Sequence, residues 1–507
     1  VILVFVGFGL IFLAVALWVA KRAPVDDVDD FIVAGRRLPF GIVSASVMVS
    51  WLWTTSLLGA AEAGYLFGIG GGFAFAFGSA VPFFVFIPLA LRLRRIMPHG
   101  TTFLEFLQQR YGAATHHLLL GMTLLMALYI CVEQIIGVAY AVSGSFDVAY
   151  PLVAVGATAV VVSYIAIAGL RGAVINDVIQ FVIISAVSLV LIPIILARFG
   201  IGNLYDGLQR AAANADVATH NADAMTFWAP AAVRYFAVAM VVSMGFVLLN
   251  QGYYSKARAA GSSKSLLGAY ILGTVVAWIP IPILFGMVLG GIGIADEITV
   301  GDELRVSTEV SGYIFSENFG SIGSLLFSLT IFMAGLTTAG NSLAGFQAAM
   351  AVDVQDGVMG GNRTPRQKKR FTQAATIVFG VFTCIGALAL EGVSLLRIDI
   401  VSGIVFAAPI GALLTGMFWR RPSASLAIGS VIIGMSSGII AYVAIDDPEI
   451  DYFVGNLVSL LVPVAVLLLS PVISRQRYDF AQLRQYGAPR TGTSAERAHE
   501  VEGEHSA

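Results

Sequence analysis

The chain has 507 residues, of which 58% are hydrophobic and only 12% charged, and its mean hydropathy is +0.85. No soluble domain of this length has that balance, so an integral membrane protein is expected. A net charge of −2 excludes a global basic field of the kind that gathers nucleic acid.

Hydropathy places about thirteen bilayer-length spans, near 1–20, 41–67, 72–96, 116–144, 150–169, 174–199, 229–254, 265–293, 320–351, 371–391, 397–418, 424–445 and 452–473. Residues 1–20 are apolar throughout, too long for a signal-peptide core and without basic residues before them, so they read as a retained span. Cys131 and Cys384 fall inside apolar runs, which makes a structural disulfide unexpected. Basic residues alternate by side. One set of loops carries Arg36, Arg37, Arg92, Arg94, Arg95, Arg110, Lys256, Arg258, Lys368, Lys369 and Arg420, while the other carries mainly Arg198, Arg210, Arg305 and Arg397 together with acidic pairs. The excess of positive charge puts the N-terminus outside and the C-terminus in the cytoplasm of a multi-pass plasma-membrane protein. Two outer segments, near 200–228 and 294–319, are long enough to be ordered caps. Residues 1–473 form one transmembrane domain with a core near 41–418, and the polar tail 474–507 is expected to be disordered.

The second span, GIVSASVMVSWLWTTSLLGAAEAGYLF, is unlike a lipid-facing helix. Ser50, Trp51, Leu52, Trp53, Thr54, Thr55 and Ser56 crowd polar and bulky groups at mid-depth. Irregular backbone inside a bilayer is tolerated only where protein or a wet cavity covers it, and broken helices at the midplane are how many secondary transporters build their sites. The alternative is a kinked, protein-buried helix. An inverted repeat would give spans two to six a counterpart in spans seven to eleven, with a second break at Ser243-Met244-Gly245 or at Asn250-Gln251-Gly252.

In the ninth span Ala334, Thr337 and Thr338 sit at i, i+3 and i+4 and share a face. Two hydroxyls and a freed carbonyl there, with carbonyls near Val49 and Leu52 of the broken span, make five uncharged oxygens. Hard cations choose oxygen, and sodium suits so low a charge. The same threonines would also suit plain packing, bonded back to their own helix. Asp177 lies near the cytoplasmic start of the sixth span, either guiding departing cations or paired with Arg171. Glu133, beside Gln134, sits mid-span, where a carboxyl is costly unless it is paired, protonated or next to water. Trp51 and Trp53 point to different faces, so one lines a cavity while the other packs. None of the six histidines makes a paired-ligand cluster, and neither GxSxG nor a phosphate loop is present, so no enzyme is expected.

Four stretches resemble the sodium/solute symporter family in order: VAGRRLPFGIVSASVMVSW, YIAIAGLRGAVINDVIQ, NQGYYSKARAA and AGLTTAGNSLAGFQAAMAVD, together covering about residues 30–420. The resemblance implies an all-α, LeuT-type 5+5 core with flanking helices and one sodium at the midplane. Its ligands would be the carbonyls of Val49, Leu52 and Ala334 and the hydroxyls of Thr337 and Thr338. Asp177 would serve sodium release. Asn250 and Gln251 would form the inner wall and gate, with Tyr253 or Tyr254 as a gating aromatic. SWLWTTSLLGAAEAGYLFGIGG and TTFLEFLQQRYG are similar to the urea-type branch, whereas LYICVEQIIG resembles the carboxylate and proline branches. The expectation is therefore a sodium-coupled symporter for a small polar solute, urea first and a small carboxylate or amino acid second. Trp51, Trp53, Thr54, Ser56, Glu133, Gln134, Asn250, Gln251 and Tyr253 are its candidate solute residues. An uncoupled channel is the rival class, and a membrane sensor lacks an output domain. No feature of the sequence sets an oligomeric state.

Overall fold

The computed structural model describes residues 2–22, 28–36, 38–146, 148–213, 224–361, 363–473 and 477–487. Among these the chain is almost wholly helical, with no strand. Ten helices are long and apolar enough to cross a bilayer, and the bent pair Leu395–Phe406 and Ala408–Phe418, turned by 48°, adds an eleventh. Two of the ten each hold two crossings, and a third, Val310–Ala349, turns back at Gly320 (φ 59°), so that Phe315 of its outer end stacks on Phe327 at 4.4 Å. Gly68 (φ 72°) reverses Leu58–Ile96, so that Gly59 comes within van der Waals reach of the Phe75 ring. Gly169 (φ 59°) reverses Tyr150–Phe199, so that Tyr164 and Asn176 both meet Phe12. A left-handed φ is cheap only for glycine, and that fixes where these turns fall. With both reversals counted, and Phe40–Trp51 joined to the helix after its break, the crossings fall where the hydropathy put them.

Burial separates core from periphery. In Ala113–Ser145 72% of the most apolar window is buried, against 28% in Ile2–Arg22. Pro365–Ala389 presents Ile377, Val381, Phe382 and Ile385 outward, each more than half exposed, as a lipid-facing stripe needs. The ninth span, within Val310–Ala349, has the opposite character and is buried without interruption from Phe327 to Ala349. Each half of the core opens with a discontinuous helix. The first stops at Trp51 and resumes through a 3-10 turn at Thr54–Ser56. The second stops at Leu248 and resumes at Gln251, which selects the later of the two break points expected there.

One face gathers the arginines. Arg94 donates to the Ala257 and Ala260 carbonyls, Arg258 to Pro98, and the Leu38 amide to the Ala259 carbonyl. The tail expected to be disordered lies largely outside the described residues, but 477–487 packs onto this face. Phe480 and Leu483 are buried, Arg110 lies 4.7 Å from the Tyr478 ring centre, and the Tyr486 hydroxyl donates to Glu105 at 3.0 Å. His116 lies on the same face, buried, 3.0 Å from Asp353.

Candidate functional site

The break in the second span comes from its own sequence. Leu52 (φ −84°, ψ 75°) turns its carbonyl out of the helical ladder, and Trp53 (ψ 165°) is extended. Local polar groups then satisfy the freed backbone, as an interior demands. The Ser56 hydroxyl donates to the Trp51 carbonyl at 3.1 Å and accepts the Trp53 amide at 3.1 Å. The Thr54 amide donates to Gln134 Oε1 at 2.8 Å. Two glycines make room for the turn: a Cβ at Gly137 would overlap the Thr54 side chain, and one at Gly335 would press on the Thr54 methyl at 3.1 Å and the Gln134 carbonyl at 3.2 Å. Lower down the same ninth span, a Cβ at Gly345 would strike the Gly252 amide at the second break.

At the first break the ninth span brings its threonines to the helix end. The Thr337 hydroxyl lies 2.8 Å from the Val49 carbonyl and 3.0 Å from the Ala334 carbonyl. Thr338 lies alongside, its hydroxyl 3.3 Å from the Ser50 carbonyl. Val49, Leu52, Ala334, Thr337 and Thr338 are all buried, and none carries charge. Such a set suits an alkali cation and lacks the carboxylates a divalent ion favours. The hydroxyls face this break rather than the outside of the bundle.

One turn below, Asp177, read from the sequence as either a guide for departing cations or a partner of Arg171, pairs with Lys256. Asp177 Oδ2 accepts the Ser46 hydroxyl at 2.6 Å and the Lys256 ammonium at 2.9 Å. Lys256, read from the sequence as a loop residue, is 1% exposed, and it also donates to the Ser46 carbonyl and the Ser50 hydroxyl. Burial of both partners makes this a coupled pair, costly to break from either side.

Beside the break lies a cavity of about 30 Å³. One water needs roughly 10–15 Å³ of such space, so the cavity has room for about two waters or a solute of a few heavy atoms. Trp51, Trp53 and Ser56 line it, with Phe246, Trp278 and Asp399. Both tryptophans therefore reach the cavity. Trp53 stacks on Phe246 at 4.9 Å, and Trp51 meets Trp278 at 5.9 Å. The buried Trp51 indole N–H has no partner, whereas that of Trp53 is engaged by the Ser50 carbonyl at 3.1 Å. Other expected solute residues lie elsewhere. Thr54 and Gln134 brace the turn. Tyr253 donates to the Ser50 carbonyl at 2.9 Å, beneath Trp51. Asn250 and Gln251 border a separate void of about 10 Å³, and Gln251 accepts the Phe103 amide at 3.1 Å. Asp399 was not among the candidates: two residues after Arg397, it reads as a span-end charge, yet the bend places it at the cavity.

Glu62 is buried on the far side of the break. Its carboxylate accepts the hydroxyls of Ser307, Thr308 (2.7 Å) and Ser394 (2.5 Å) and the Leu396 amide at 3.3 Å. It thereby ties the resumed half of the broken span to the bent pair.

Several known proteins are similar to this chain. A probable urea active transporter of Schizosaccharomyces pombe is 27% identical, over 94% of this chain and 77% of its own length. The urea-proton symporter DUR3 of Oryza sativa subsp. japonica is 24% identical, over 100% of this chain and 74% of its own. Among solved structures, a Na+-coupled sialic acid symporter in a substrate-bound outward-open state superposes with a TM-score of 0.73 at 16% identity, covering 94% of this chain and 98% of that one. Mhp1, a nucleobase-cation-symport-1 transporter in a closed conformation, gives 0.56 at 14% identity, over 92% and 100%. These likenesses carry the LeuT-type fold. The model of the sodium:solute symporter family matches residues 31–434, and the chain belongs to that family.

Proposed function

We propose that this protein is a secondary active symporter of the plasma membrane, with its N-terminus outside and its arginine-rich face in the cytoplasm, importing urea or a small amide of that class with sodium. The observation that carries this reading is the meeting of the Val49 and Ala334 carbonyls with the Thr337 hydroxyl at a helix break, next to a cavity sized for a few heavy atoms. Urea offers one carbonyl and four N–H donors. The unpartnered Trp51 indole N–H suits the carbonyl, and Asp399 is an acceptor for the donors. The relatives named as urea transporters support this choice over a carboxylate or amino acid, which would bring a negative charge toward Asp399.

Sodium at the cradle would tie the broken span to the ninth span and favour the form that accepts solute. The coupling is the shared free energy of that arrangement, and it is reciprocal. Asp177 and Lys256, one turn below, would govern release. A second reading, with a proton as the driving ion, is favoured by Lys256, whose ammonium is already on the Ser46 carbonyl of the cradle helix, and by the name of the rice relative.

Sealed vesicles holding the purified protein test this. Labelled urea should accumulate against its gradient with sodium outside and fail to do so with potassium or choline. Acetate and proline should compete weakly. Accumulation of acetate or proline in place of urea overturns the solute, and downhill flux alone, indifferent to every cation gradient, overturns symport in favour of a channel.

A further inference from the structure

The helix that follows the second break is sealed from the arginine-rich face by a plug. Every residue of Gln251–Ala259 is buried. The stretch 98–103 covers it. The Gln251 side chain accepts the Phe103 amide at 3.1 Å and donates to the Thr101 carbonyl at 3.4 Å. The Phe103 ring stacks on Tyr254 at 4.5 Å, and Arg258 donates to the Pro98 carbonyl at 3.5 Å. The Thr102 hydroxyl donates at 3.2 Å to Asp353, just beyond the ninth span. Glu105 holds the plug in shape: its Oε2 accepts the Thr101 and Thr102 amides at 2.6 and 2.8 Å.

The other oxygen of Glu105 is held by the segment 477–487. The Tyr486 hydroxyl donates to it at 3.0 Å, and Gly487 lies against His99, where an added Cβ would stand 3.4 Å from the His99 Cβ. The rest of the segment is moored to neighbouring helix ends. The Tyr478 amide donates to the Arg420 carbonyl at 2.9 Å, and Phe480 and Leu483 are buried. The Arg92 and Arg110 guanidiniums lie 5.1 and 4.7 Å from the Phe480 and Tyr478 ring centres. A short segment held this way at the rim of a fold can dock and undock at far smaller cost than unfolding a span. The plug must part from Gln251–Ala259 before the second break meets water on this side, and 477–487 stands behind the plug. No residue of the segment lines the solute cavity. Glu133, the remaining solute candidate, is buried in Ala113–Ser145 and is likewise outside the cavity lining.

We propose that 477–487 is a strap that locks this plug in place, and that its undocking frees the arginine-rich side of the second break to open. Docked, the strap favours the form closed on that side. Undocked, it lets the population shift toward the open form, by no more than the difference in its contacts between the two. It therefore sets the rate of the cycle and leaves the selection of solute to the cavity. The inference rests on the symport reading for the opening itself, and uses neither the sodium cradle nor the identity of the solute.

The test uses the full chain in sealed vesicles, with labelled urea exchange as the readout. His99→Cys combined with Gly487→Cys puts two thiols near disulfide distance, since bridged Cβ atoms stand ~3.5–4.5 Å apart. The left-handed φ of Gly487 (67°) strains a cysteine there, so the reduced form of the same protein is the control. Oxidation should form the bridge, seen by mass spectrometry of the digested chain, and lower exchange at least tenfold, and dithiothreitol should restore it. Leu483→Ser combined with Tyr486→Phe loosens the strap and leaves the plug residues intact. It should raise exchange about threefold with the inhibitor ranking of substituted ureas unchanged. Wild-type exchange with the bridge formed overturns the proposal, and so do thiols that fail to bridge. If the reduced cysteine pair is itself inactive, the loosened variant decides: exchange no faster than wild type, in folded protein, overturns the proposal. Each of these results leaves the symport reading standing. Folded wild type that exchanges none of urea, acetate and proline would instead defeat the symport reading, and the gating role with it, whether or not the bridge forms.

Discussion

Replacing Thr337 by alanine removes the hydroxyl that stands 2.8 Å from the Val49 carbonyl and 3.0 Å from that of Ala334. Two effects follow, and they separate. Without sodium, the loss is one neutral cross-helix hydrogen bond, about 0.5–1.5 kcal/mol of stability. With sodium at the proposed cradle, one of its proposed neutral ligands would be missing, and an interaction of a hydroxyl with a charge is worth about 1.5–3 kcal/mol. At roughly 1.4 kcal/mol per tenfold, the sodium concentration for half-maximal urea uptake should rise about 10- to 100-fold. Thr337→Ser keeps the oxygen and should stay within about threefold, because its cost is a lost methyl contact and not a ligand. The assay is initial urea uptake into vesicles over a sodium series at fixed membrane potential, with thermal unfolding of each variant followed in detergent. Equal half-saturating sodium for wild type and Thr337→Ala, in protein shown to be folded, would refute the cradle.

Gly335→Val should lower thermal stability by about 1–3 kcal/mol, since its branches must displace the Val138 side chain and press on Thr54 and the Gln134 carbonyl; an unchanged melting curve would mean the ninth span is not seated on this helix as described. Lys256→Met leaves Asp177 buried and uncompensated, a loss of about 3–5 kcal/mol, and adding Asp177→Asn should restore much of it. A double-mutant cycle in thermal unfolding checks this, and additive losses would sink the pairing. Trp53→Ala removes the ring stacked on Phe246 and opens the cavity. Competition with substituted ureas should then show weaker urea binding and better acceptance of larger amides; an unaltered inhibitor ranking would take Trp53 off the solute path.

The first helix break was readable because seven polar or bulky residues in a row leave an α-helix in lipid no advantage there. The second was readable only to within a few residues. Ser243-Met244-Gly245 and Asn250-Gln251-Gly252 offer similar local chemistry, and the decision came from where Gly345 of the ninth span lets the backbone approach. The two hairpins were legible as gaps in hydropathy, but not which glycine turns them, since φ is invisible among 54 glycines. Asp177 illustrates a different limit. Its near neighbour in sequence, Arg171, was the natural partner, yet the ammonium that meets it lies 79 residues away on the second broken span. Lys256 and Asp399 share a cause: each sits near a span end in the linear chain, where a charge is cheap, and tertiary bending carries each inward.

The ninth span supports both discontinuities, through Gly335 above and Gly345 below. Ten residues of helix separate these seats by ~15 Å along a stiff rod. Tilting that rod by a few degrees shifts one seat against the other by about an ångström, so neither gap can be remodelled in isolation. Inserting a single residue between them would swing one seat about 100° around the axis. The distance between the two glycines is thus a ruler that the chain must keep, even where the side chains along it are free to vary.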